Sequence, residues 1–119
     1  MATKRHRITL ESLNAYRIMW LFVFFDLPVD TKKNRKRYAR FRKNILLDGF
    51  TMLQYSVYTR HCASRESATV HIRRVRKMVP PEGQVSILQI TDKQYGLMIN
   101  YVGGGNEPLK GHPSQLELF

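Results

Sequence analysis

A chain of 119 residues with 20 Lys+Arg against 9 Asp+Glu carries a formal charge of +11, which suits one domain with a modest core that buries about 60–70% of its unfolded surface. The charge exceeds what solubility requires and favours a polyanionic partner. Nucleic acid comes before a membrane surface here, because the apolar positions of the basic segments are spaced as core faces and no lipidation motif is present. The single cysteine, Cys62, excludes an intrachain disulfide and a paired-cysteine zinc site and fits a reducing cytoplasm.

Residues 1–16 mix Lys4, Arg5 and Arg7 with isolated apolar positions and read as a basic extension, without the apolar stretch of a secretory leader. The chain is organised around residues 18–28, Ile-Met-Trp-Leu-Phe-Val-Phe-Phe-Asp-Leu-Pro. This run is too short to cross a bilayer, which needs about 20 apolar residues, and reads as a central strand apolar on both faces. Asp26 falls at its carboxyl end, where rigid backbone presents polar groups in α/β arrangements.

Asp30 or Thr31 caps a helix expected over residues 32–48, with Tyr38, Phe41, Ile45 and Leu46 as its buried stripe and Gly49 as its stop. Its other faces carry Lys32, Lys33, Arg35, Lys36, Arg37, Arg40, Arg42 and Lys43. Like charges at helical spacing cost stability unless an anion neutralises them, so the run points to nucleic acid.

Residues 50–61 are aromatic and β-branched, and their alternation fails around residues 54–56, which predicts a kink or bulge dividing two short strands. Ser64 then starts a second helix with Ala68, Ile72, Val75 and Val79 inward and Arg73, Arg74, Arg76 and Lys77 on its other faces, ended by Pro80 and Pro81. Residues 84–90 alternate as a strand, residues 91–93 turn the chain, and residues 95–102 read as a further strand. Gly103, Gly104 and Gly105 read as a hinge before a tail closing on Leu116, Leu118 and Phe119.

That order predicts an α+β, ferredoxin-like βαββαβ sandwich over residues 17–102 with an extra C-terminal strand, flanked by extensions at 1–16 and 103–119. Two helices would cover one sheet face. Trp20, Phe22 and Phe24 leave the other apolar, and a second copy packed on it predicts a two-fold dimer.

The Phe-Phe-Asp-Leu-Pro end of the first strand, the basic helix ending Leu-Leu-Asp-Gly-Phe, the Gln-Tyr-Ser-Val-Tyr segment and the later Leu-Gln-Ile-Thr-Asp-Lys-Gln-Tyr-Gly resemble the CRISPR-associated Cas-two family, closest in character to its type II branch. The resemblance implies a ferredoxin-like homodimer that joins the Cas-one integrase in spacer acquisition and holds duplex DNA. It also implies, for many members, a magnesium-dependent endonuclease acting on single-stranded RNA or double-stranded DNA. Asp26 matches the family's acidic residue after the first strand, presented in symmetric pairs to Mg²⁺. Phe25 stands where many members carry tyrosine.

One carboxylate per subunit, doubled across a two-fold axis, is a sufficient minimum for Mg²⁺, which keeps several waters. The competing reading of Asp26 is a loop cap or an ion-pair partner of the nearby cations. Asp30 reads as a helix cap. His6, His61, His71 and His112 are scattered, and no phosphate-cradling glycine loop follows a strand. Tyr55 and Tyr58 read as core or interface before base-stacking residues. The expected phosphate contacts are Lys32, Lys33, Arg35, Lys36, Arg37, Arg40, Lys43, Arg73, Arg74, Arg76 and Lys77, and Leu116, Leu118 and Phe119 are expected to dock on a partner as an edge strand. A small RNA-binding domain of the same fold is disfavoured by the lack of its glycine-aromatic strand motif.

Overall fold

The computed structural model describes residues 18–103. Its elements are β1 (Met19–Asp26), α1 (Lys32–Leu47), β2 (Thr51–Gln54), β3 (Val57–Cys62), α2 (Arg65–Met78), β4 (Gln84–Thr91) and a short α3 (Asp92–Gly96). The strands form one antiparallel sheet in the order β2-β3-β1-β4, the ferredoxin-like α+β arrangement. β1 is central, running from Met19 opposite Cys62 and Thr91 to Asp26 opposite Gln84.

The two-sided apolar pattern of β1 divides between two cores. Leu21, Val23 and Phe25 pack with Phe41 and Ile45 of α1 and Ala68 and Val75 of α2, each large side chain contributing about 1.5–3 kcal/mol of burial. Trp20 and Phe22 face the other way, against Tyr95 of α3 and the half-buried Leu53, Val57, Ile90 and Met98. The chain therefore covers part of its second sheet face itself. Phe24 and Leu88 remain open on that face, 38% and 47% exposed.

The helix ends follow local chemistry. Thr31 Oγ1 accepts from the Asn34 backbone N–H at 3.0 Å, so Thr31 is the cap, while Asp30 accepts from the Asn34 side chain at 2.9 Å. At the other end Gly49, with φ 93°, donates to Leu46 O and Phe50 donates to Ile45 O, the paired bonds of a Schellman stop that needs a left-handed residue. Ser64 caps α2 by accepting from Ser67.

Three expectations are corrected. Residues 95–102 form no strand: Thr91 and Gln94 make a reciprocal capping box, Asp92 N–H donates to Ile18 O, and the chain winds into α3, with residues 97–103 outside any helix or strand. Burying Tyr95 on Trp20 outweighs the strand preference of the sequence around it. Leu46 is 39% exposed and Asn34 is buried instead, which shifts the buried stripe of α1 toward its N-terminus. Val79 lies beyond α2 as its C-cap, 40% exposed, and His71 takes the inward position on that helix.

The break expected at residues 54–56 is present as a two-residue turn, Tyr55-Ser56, with a register shift between Met52 and Gln54. Cys62 is free and buried, and burial pushes its thiol pKa up. No described helix is long and apolar enough to cross a membrane.

Candidate nucleic-acid interface and strand-end carboxylate

Lys32, Lys33, Arg35, Lys36, Arg40, Arg42 and Lys43 of α1 and Arg73, Arg74, Arg76 and Lys77 of α2 are exposed, and Arg37 is half-buried. Because both helices cover the same sheet face, their charges share one side of the molecule. Some of these cations are already engaged. Arg35 donates to Val29 O at 3.1 Å, Arg37 lies 3.8 Å from Glu82, and Arg42 Nε donates to Tyr58 Oη at 2.8 Å. Lys32, Lys33, Lys36, Arg40, Lys43, Arg73, Arg76 and Lys77 make no ion pair among the described residues.

Arg74 behaves differently. It lies 3.1 Å from Asp48 Oδ1, and His71 Nδ1 lies 2.7 Å from Asp48 Oδ2. Arg60 Nε adds a bond to Asp48 O at 2.8 Å. This cluster ties the end of α1 to the middle of α2 and to β3. Asp48 looked in sequence like the last residue of a basic helix, and its partners are far along the chain.

Asp26 is exposed at the end of β1 and lines a recess of about 370 Å³ with Phe25, Tyr55, Ser56, Gln84 and Ser86. The recess exists because two connections meet there: Phe25 N–H donates to Ser56 O across the sheet end, and Gly83, at φ 99°, lies against Asp26. A Cβ on Gly83 would come within 2.7 Å of Leu27 Cδ2 and 2.8 Å of Asp26 O, so only glycine brings the chain in this close. Asp30 does not join Asp26 in pairing; the Asn34 amide holds its carboxyl below the usual range.

Among the described residues no three His, Cys, Asp or Glu side chains are grouped to hold a metal ion. Among the described residues the recess thus offers a single carboxylate beside neutral oxygens, all hard donors. That set fits Mg²⁺ only as an open site and does not suit a closed cage. His61 is exposed and edge-on to Trp20 at 5.2 Å. Leu116, Leu118 and Phe119, His6 and His112, and the extensions at 1–16 and beyond Gly103 lie outside the described residues.

A relative from Parvibaculum lavamentivorans named CRISPR-associated endoribonuclease Cas2 is 57% identical over 101 residues, 85% of this chain and 100% of that protein. One of the same name from Flavobacterium psychrophilum is 50% identical over 107 residues, 90% of this chain and 93% of that protein. A solved structure described as a crystal structure of cas2 superposes with a TM-score of 0.54 at 21% identity, covering 80% of this chain and 98% of that one, a likeness of fold. The sequence model described as CRISPR associated protein Cas2 matches residues 19–98, from the first residue of β1 to Met98 just past α3, and with these relatives it shows that the chain belongs to the CRISPR-associated Cas2 family.

Proposed function

We propose that the chain is a homodimeric nucleic-acid-binding component of CRISPR spacer acquisition, holding duplex DNA by its phosphates along α1 and α2 and bridging to the Cas-one integrase in the cytoplasm. The observation that carries this reading is the one-sided array of exposed, unpaired cations on the two helices. Charge of that kind binds backbone without reading sequence, as a protein that accepts any foreign DNA requires. The open Phe24 and Leu88 beside the Trp20 and Phe22 cluster supply the face on which a second copy packs. The apolar tail end, Leu116, Leu118 and Phe119, is the segment proposed to dock on a partner.

A second reading, magnesium-dependent cleavage of single-stranded RNA or double-stranded DNA, is favoured by the exposed Asp26 carboxylate in its recess and by the relatives' name, endoribonuclease. Mg²⁺ held there would supply Lewis-acid polarisation of a phosphoryl oxygen. The residues that would hold it are Asp26 and the same carboxylate of a second copy. Purified protein and Asp26→Asn, assayed for Mg²⁺-dependent cleavage and separately for spacer integration with the integrase, divide the two. Integration that survives Asp26→Asn supports the binding role. Integration lost together with cleavage, with the protein still folded, contradicts it.

A further inference from the structure

A second recess, of about 470 Å³, opens where α1 meets the β2–β3 hairpin, lined by Tyr38, Arg42, Met52, Tyr55, Ser56 and Tyr58. Its volume lies in the range of ligand pockets, roughly 300–1,000 Å³. Tyr58 is core at 1% exposure, but Tyr55 stands 86% exposed at the hairpin tip. Packing within the protomer therefore does not account for Tyr55. Ser56 beside it sits at φ 64°, a conformation that costs a non-glycine residue about 1–2 kcal/mol, and it fixes the turn that presents the ring.

Two features give the recess polar definition. Arg42 Nε is anchored on Tyr58 Oη at 2.8 Å, and its terminal N–H groups have no hydrogen-bond partner among the described residues. Tyr38 lines the same recess, and burial and neighbouring Tyr55 raise the pKa of its hydroxyl. One exposed aromatic ring, Tyr55, beside an anchored guanidinium and next to a row of exposed helix cations supplies what an unpaired base requires: a stacking surface, donors at its edge, and charge for the adjoining phosphates. A paired base inside a duplex could not enter.

We propose that this recess is a subsite for one unpaired nucleobase, stacked on Tyr55 with Arg42 at its polar edge, on a strand whose phosphates follow α1. The inference rests on the nucleic-acid reading above and deepens it. Tyr55 and Ser56 also line the recess that holds Asp26, so a base seated here brings its own backbone to the strand-end carboxylate. Both RNA and single-stranded DNA present this chemistry.

The test uses the full chain with single-stranded RNA, single-stranded DNA and blunt duplex DNA, each of one length and carrying 2-aminopurine, read by binding and by quenching of the base. Tyr55→Ala should weaken at least one single strand roughly 5- to 150-fold, the worth of one stacked base, and abolish quenching while leaving blunt duplex affinity and Trp20 fluorescence unchanged. The strand losing more identifies the sugar preferred. Tyr55→Phe should keep the affinity, and Arg40→Ala should weaken all three ligands. Single strands bound by Tyr55→Ala as tightly as by the unaltered chain overturn the subsite and leave the duplex reading standing. An unaltered chain that binds none of the three overturns both.

Discussion

His71 Nδ1 lies 2.7 Å from Asp48 Oδ2, with both side chains under a tenth exposed, and Arg74 closes on the other carboxylate oxygen at 3.1 Å. Asp48 is the C-cap of α1, so this contact fastens the basic helix to its neighbour at the point where the chain turns into β2. Asp48→Ala removes the anion from beneath a buried imidazole and a guanidinium. Leaving a buried hydrogen-bonding group without its partner costs about 1–3 kcal/mol, and urea unfolding should show a fall of that order. Asp48→Asn keeps one acceptor oxygen for these partners while giving up the charge and the other oxygen, so it should lose less than Asp48→Ala.

Tyr95 stacks on Trp20 at 3.9 Å with the rings 7° from parallel, and Trp20 Nε1 donates to Asp92 Oδ1 at 2.6 Å. Tyr95→Ala should cost about 3–5 kcal/mol, as other large-to-small aromatic changes in cores do. Trp20 is the chain's sole tryptophan, so its emission should shift to the red in the folded variant as the second sheet face opens.

Stability should fall in alkali. Burial raises the pKa of Cys62 above its ordinary 9.0 and of Tyr38 and Tyr95 above their ordinary 10.0. The folded state then holds these protons more tightly than the unfolded one, so the contribution is fully present below the ordinary values and is lost as pH rises through the folded ones. Thermal unfolding from neutral pH upward should show a decline beginning near the ordinary Cys62 value, and Cys62→Ala should remove its first part.

Asp26→Asn should leave stability within about 0.5 kcal/mol, since the side chain is exposed and engages no described partner. Removing one negative charge from the rim should leave duplex binding the same or tighter. A marked loss of stability in urea would show instead that the carboxylate is a structural cap.

The sheet and its two covering helices were legible because β1 alternates Leu21, Val23, Phe25 against Trp20, Phe22, Phe24, and because Thr31, Gly49 and Ser64 punctuate the helices as their chemistry requires. The short α3 was written in the Thr91 and Gln94 capping box, but Tyr95, Ile99, Tyr101 and Val102 favour a strand locally and mask it. The Asp48 and His71 pair spans 23 residues, and no local pattern reports such a distance. The exposed position of Asp26 at the end of β1 was legible from where the apolar run stops. The recesses beside it were not, since they depend on how the Tyr55-Ser56 turn and Gly83 approach one another in space.

The central claim is that the helix cations hold duplex DNA by its phosphates, and the salt dependence of binding tests it most directly. Each phosphate neutralised contributes about 0.9 to the slope of log affinity against log salt. Engagement of six or more phosphates by α1 and α2 predicts a loss of roughly a thousandfold or more between 50 and 200 mM salt, with Lys36→Ala and Arg40→Ala each flattening the slope by about one contact. Equal affinity at the two salt concentrations, or an unchanged slope in those variants, would contradict it.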